Sequence, residues 1–117
     1  NTRDAVTRIE NMVQMGSMGL PLGAIRTQIV SAVDLILQVE RQRDGGRRIT
    51  QVTEVCGMEG EIVLLNDIFR FHIDGEGADG RLTGRYKSIR AKPSFHSRLT
   101  YFRLDRAWTD AMDEAGE

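Results

Sequence analysis

The first third of the chain carries apolar residues at helical spacing. Ala5, Ile9, Met12 and Val13 recur every three or four positions, which predicts a first helix capped by Thr2 and stopped at Gly16. After SMGL, Pro21 is well placed as the first residue of a second helix, on which Leu22, Ile25, Ile29, Ala32, Val33 and Ile36 form one continuous apolar face. Val30 and Leu37, beside Ala24 and Ser31, predict that this helix is covered on more than one side. The charged stretch ERQRDGG closes it, with Gly45 or Gly46 free to take the left-handed cap conformation. Residues 1–46 therefore read as helical.

From Arg47 onward the period falls to two. RRITQVTEVC is rich in β-branched residues, EIVLLNDIFRFHID alternates Phe69, Phe71 and Ile73 with Arg70, His72 and Asp74, and GRLTGRYKSI alternates Leu82 and Tyr86 with Arg81, Arg85 and Lys87. The links GMEG and GEGADG are short and glycine-bearing, so residues 47–90 read as three or four consecutive antiparallel strands in a meander. Pro93 and Ser94 can start a short helix containing Phe95, Leu99 and Phe102; Asp105 can cap a last one carrying Ala107, Trp108, Ala111 and Met112, so that residues 93–117 are terminal helices. The expected fold is a single mixed α/β segment with two N-terminal helices, a small, mainly antiparallel sheet and short C-terminal helices.

At 117 residues the chain holds one domain at most and can bury roughly two-thirds of its unfolded surface. Asn1 in place of a methionine, followed at once by a helical pattern, leads us to expect that the start is cut from something longer. A single Cys56 cannot form an internal disulfide, and no apolar run approaches the roughly 18–20 residues of a membrane span, so an intracellular location is expected. The basic charge is unusual in kind and place. There are fourteen arginines against two lysines, and the stretch from Arg81 to Leu104 holds seven basic residues and no acidic one before Asp105 to Glu117 turns acidic. Such a stretch needs an anionic partner, either the acidic tail or neighbouring subunit, or else a nucleic acid or anionic lipid surface.

The candidate chemical motifs are mostly incomplete. Gly75, Gly77 and Gly80 spell G-x-G-x-x-G, but a dinucleotide fingerprint opens a helix and here a second strand follows; Glu76 and Asp79 would also repel a pyrophosphate. A hairpin loop is expected instead. Ala78 stands where a calcium loop needs an oxygen ligand. Cys56, His72 and His96 lack the paired spacing of structural zinc sites, nothing local marks Cys56 as a nucleophile, and Glu54, Glu59 and Glu61 read as solvated carboxylates around a turn. No lysine follows a glycine in the manner of a P-loop, so no catalytic, metal or cofactor residue is assigned to the chain itself.

Three stretches carry a resemblance. RDAVTRIENMV, then LPLGAIRTQIVSAVDLILQVERQRDGGRRITQVTEVCGMEGEIVLLNDIFRF, then GRLTGRYKSI with KPSF, are similar in order and spacing to the C-terminal part of the CpaF/TadA-type secretion ATPases, from about Arg3 to Leu99. The strongest words are LP..AIR.QI..A.D, R.I..V.EV.GMEG and L.DIF.F. The resemblance implies the C-terminal portion of a RecA-like P-loop core that begins where the P-loop, acidic, Walker B and histidine boxes have ended. It further implies a homo-hexamer that binds ATP and magnesium in the full-length protein and works with pilus or secretion platform proteins on the cytoplasmic side of a bacterial inner membrane. Arg3, close to the implied histidine box, is the one arginine with positional support for facing nucleotide, a helix-start salt bridge being its alternative job. The tail from Tyr101 to Glu117 departs from the family pattern and takes no role from it. Two other readings stand beside this one: a non-catalytic domain that docks on a complete ATPase ring, and a small basic nucleic-acid-binding module using Arg81 to Arg103 with Tyr86, Phe95 and Tyr101.

Overall fold

The computed structural model describes residues 1–16, 19–88 and 93–115. Helix α1 (Thr2–Gly16) and helix α2 (Leu22–Ala32) lead into strands β1 (Leu35–Arg41), β2 (Arg47–Glu59), β3 (Ile62–Glu76) and β4 (Leu82–Ser88), followed by helices α3 (His96–Tyr101) and α4 (Asp105–Ala115). The strands form one antiparallel sheet in the order β1-β2-β3-β4, the expected meander.

Two local expectations are corrected. Asn1, not Thr2, caps α1: the Asp4 amide donates to Asn1 Oδ1 at 2.9 Å, while Thr2 is buried. The second helix stops well short of the length that the apolar spacing implied, and residues 1–46 are not all helical. It ends at Ala32, Val33 turns extended (φ −108°, ψ 123°), and the remainder becomes β1. Leu35, Leu37 and Val39 also satisfy a period of two, and pairing with β2 from Leu35 to Arg41 supplies ladder hydrogen bonds where the last turn of a longer helix would leave carbonyls unmatched. Gly45 is left-handed (φ 85°) as expected, but in the β1–β2 hairpin turn rather than at a helix cap.

Long strands β2 and β3, joined through Gly60 and Glu61, form the spine. Successive residues on β2 point to opposite faces, so Thr53 and Val55 meet α1 while Glu54 meets the segment that begins α3. On the first face Val6, Val55 and Val63 pack together, with Val30, Val33, Ile36 and Leu65 around them. On the second, Trp108 of α4 lies against Phe69 and meets Phe95 edge-on at 5.3 Å, and Ser88 Oγ donates to the Met112 carbonyl at 2.8 Å. Helices α3 and α4 are joined by a tight left-handed turn. Arg103 takes φ 60°, the Leu104 amide donates to the Leu99 carbonyl at 2.8 Å, and the Arg103 amide donates to the Thr100 carbonyl at 3.1 Å, which is the Schellman arrangement with an arginine in glycine's usual place.

Ile25 and Ile29 are the buried residues of α2. Ile29→Asp should place an unpaired charge among packed neighbours and lower stability by about 3–5 kcal/mol, whereas Gln28→Ala, on the exposed side of the same helix, should stay within about 0.5 kcal/mol. Urea midpoints measure both; equal midpoints for the parent and Ile29→Asp would mean that this face of α2 is not buried.

Candidate functional site

Polar side chains fasten both helical layers to β2. Thr53 has no exposed surface; its hydroxyl donates to Asp67 Oδ1 at 2.9 Å and lies 3.4 Å from the hydroxyl of Thr2, whose proton it can accept. Asp67 also accepts from Gln51 at 2.7 Å and from Arg70 at 2.6 Å. Burial tends to raise the Asp67 carboxyl, but the hydrogen bonds from Thr53, Gln51 and Arg70 outweigh it and hold the group below the usual carboxylate range. On the opposite face Glu54 is 1% exposed and accepts from both the amide and the hydroxyl of Ser94, the amide at 2.7 Å. Its second oxygen, like His96 Nδ1, is buried without a hydrogen-bonding partner among the described residues.

The residues weighed in the sequence separate in space and in role. Glu59 and Glu61 are exposed as expected, but Glu54 is not; it is the buried anchor of the α3 segment. Cys56 is exposed, and partial burial of the sulfur together with the negative charge of Glu54 pushes its thiol up to about 11, so it is protonated near neutral pH and a poor nucleophile. His72 faces outward on β3 opposite Arg85; it lies about seven residues along the sheet from Cys56, roughly 23 Å, so the two do not form a pair. Gly75, Gly77 and Gly80 belong to the β3–β4 hairpin, where the Gly77 amide donates to the Arg81 carbonyl and the Gly80 amide to the Gly77 carbonyl. Among the described residues Arg3 forms no helix-start salt bridge; its guanidinium donates to the Val63 carbonyl at 2.8 Å, fixing α1 to β3. Among the described residues no cluster of three or more His, Cys, Asp or Glu side chains could hold a metal ion.

Two interactions had no sequence signal. Arg26 pairs with the nearly buried Glu10 at 2.8 Å and donates to the Glu61 carbonyl at 2.9 Å, so one guanidinium ties α2 to α1 and to the β2–β3 turn. Asp44 in the β1–β2 turn accepts from the amides of Leu82 and Gly46, each at 2.9 Å, and stitches the two adjacent hairpin tips together. The Leu82 amide is the chief reason its carboxyl is held low.

The arginine-rich stretch is partly neutralised within its own hairpin. Arg81 lies 3.8 Å from Asp79 and Arg85 3.9 Å from Asp74, both solvent-exposed pairs of small energetic worth. Arg90 and Lys92 lie outside the described residues.

What the fold leaves open is an apolar face. Leu35, Leu37 and Val39 share one side of edge strand β1, and their partners on β2 are Glu54, Val52 and Ile49. Val52 and Ile49 continue into a cleft of about 510 Å³ under α4, lined also by Phe69 and Tyr86; Leu35 continues into one of about 240 Å³ bounded by Phe95, Leu99 and Phe102. Leu35, Leu37, Val39 and Ile49 all remain exposed because α3 and α4 cover only part of the sheet. The chain exposes 8226 Å², against about 6,400 Å² expected of a compact monomer of its mass. Its radius of gyration is 17.0 Å, against about 13 Å for a compact domain of its length. Contiguous exposed apolar surface of this kind is the general physical mark of a contact site.

No protein-family model matches the chain, and no curated protein matches it at a significant level.

Asp67→Asn should weaken the acceptor shared by the fully buried Thr53 and by Gln51, at a cost of about 1–3 kcal/mol near neutral pH. Because the folded-state pKa of Asp67 is depressed, its contribution is complete above the unfolded value of about 3.9 and is lost as pH falls through the lower folded value. The gap between parent and variant denaturation midpoints should therefore be widest at neutral pH and close below about pH 4; a constant gap across that range would remove Asp67 ionisation from the account.

Proposed function

We propose that this chain is an interface-bearing, non-catalytic segment, and that it forms the C-terminal portion of the RecA-like core of a CpaF/TadA-type secretion ATPase. The open apolar face of the sheet carries the first half of this reading: a thin body with Leu35, Leu37, Val39 and Ile49 exposed has the surface of a part that packs against more protein. The second half rests on the ordered words of the sequence, LP..AIR.QI..A.D, R.I..V.EV.GMEG and L.DIF.F. In this reading the full-length protein is a homo-hexamer that binds ATP with magnesium, and its hydrolysis drives pilus assembly or secretion through platform proteins at the cytoplasmic face of the inner membrane. This chain holds neighbouring surfaces together while the nucleotide sits on upstream boxes.

The same apolar face also serves the second reading, a shorter relative that docks on a complete ring. A nucleic-acid module is less well supported: Arg81 and Arg85 pair with their own hairpin's acids, and the Tyr86 hydroxyl is committed to the Ile49 carbonyl at 2.8 Å.

Phosphoryl transfer needs a backbone cradle, its lysine, metal-holding oxygens and a residue that orients water. The chain alone should therefore show only weak, salt-screened attraction for ATP, without turnover, when titrated with labelled nucleotide and magnesium against pyrophosphate as competitor. Saturable micromolar binding that pyrophosphate fails to displace would place a nucleotide site within residues 1–117. The coding sequence upstream of Asn1 separates the two readings: a P-loop and histidine box within about 100–150 residues, one domain length, belongs to the ATPase core, and their absence to the docking relative.

A further inference from the structure

We infer that the corner between α3 and α4 is a docking point for a bilayer surface containing anionic phospholipid. Tyr101, Phe102 and Leu104 cluster around the left-handed turn and are 81%, 63% and 51% exposed. The Tyr101 and Phe102 rings meet edge to face at 5.0 Å, so they project together. Arg98, Arg103 and Arg106 flank them along the chain, exposed and without an ion pair among the described residues; Asp105 is the single acid between Arg98 and Arg106, and the other acids of α4, Asp110, Asp113 and Glu114, come one turn or more further along the helix. Arg103 occupies the left-handed position that glycine would fill with less strain, so a cation is held at the tip where backbone preference alone would not put one.

Charge and shape together choose the occupant. An aromatic and aliphatic tip flanked in the chain by three exposed arginines matches the bilayer interface, where rings and a leucine enter the headgroup region and guanidinium groups meet phosphate. Nucleic acid would use the arginines and a ring face, but it gives Leu104 nothing to do and the two rings already occupy each other. A protein partner would need a concave apolar recess for a projecting tip, and is the alternative that the experiment tests. No helix among the described residues is long and apolar enough to cross a membrane, so docking here is a surface contact. It needs neither nucleotide nor a ring, and holds or fails independently of the ATPase reading.

The experiment is flotation of the purified chain with vesicles of phosphatidylcholine, alone or mixed with phosphatidylglycerol. The parent should float with the anionic vesicles, weakly or not at all with the neutral ones, and less as salt is raised through the range where the Debye length falls to about 8 Å. Tyr101→Ser with Phe102→Ser should lower partitioning about tenfold or more. Arg98→Gln and Arg106→Gln should each lower it about fivefold. As a second measurement that does not depend on loss of binding, Phe102→Trp in a Trp108→Phe background should shift its emission to the blue on anionic vesicles. Absence of flotation with anionic vesicles, equal flotation with neutral ones, indifference to both sets of substitutions, or an unshifted emission from the Phe102→Trp variant would each overturn the proposal, the first in favour of a protein partner.

Discussion

A carboxylate almost wholly removed from water sits in the middle of β2, and its solvation has to come from the protein. Glu54 obtains it from the amide and hydroxyl of Ser94, forty residues along the chain. A polar group at such a site is costly to leave without partners, so the Ser94 amide and hydroxyl hold the start of α3 against the sheet here. Its neighbour Thr53 performs the same service on the opposite face through Asp67 and Thr2. Two consecutive residues of one strand thus fasten the N-terminal helices to one side and the C-terminal helices to the other.

That arrangement explains why coverage is uneven. The first face has two helices, a valine cluster and the Arg26 bond to Glu10. The second has a short helix pinned at Ser94 and a longer one resting through Trp108 and Met112 on β3 and β4, which leaves the β1 side of the sheet bare. The buried polar groups Thr53, Asp67 and Glu54 are donors and acceptors between elements, Cys56 is protonated near neutral pH, and the apolar residues of β1 stay uncovered.

Much of this architecture was legible in the residues. The β-branched and alternating runs after Arg47 gave the long hairpin and the meander, and the glycines of GEGADG gave a turn because a strand follows them. Residues 33–41 are ambiguous in the sequence for a physical reason: Val33 and Ile36 extend the helical spacing of α2, while Leu35, Leu37 and Val39 fit a strand equally well, and the deciding ladder with β2 lies outside the local window. Glu54 falls with Glu59 and Glu61 by proximity along the chain. Its place between Thr53 and Val55 in a β-rich run was the available signal that it was covered, but the covering residue is remote in sequence. The Arg26 to Glu10 pair and the Asp44 staple had no signal at all, since each depends on how separate elements are brought together.

The central claim is that this chain is a thin, open body with apolar sheet surface exposed, rather than a closed globule. Small-angle X-ray scattering from the purified chain, extrapolated to zero concentration with sedimentation confirming a monomer, tests it most directly. The account predicts a radius of gyration near 17.0 Å; a value near about 13 Å, that of a compact domain of this length, would mean that the apolar face is closed in solution and would contradict it.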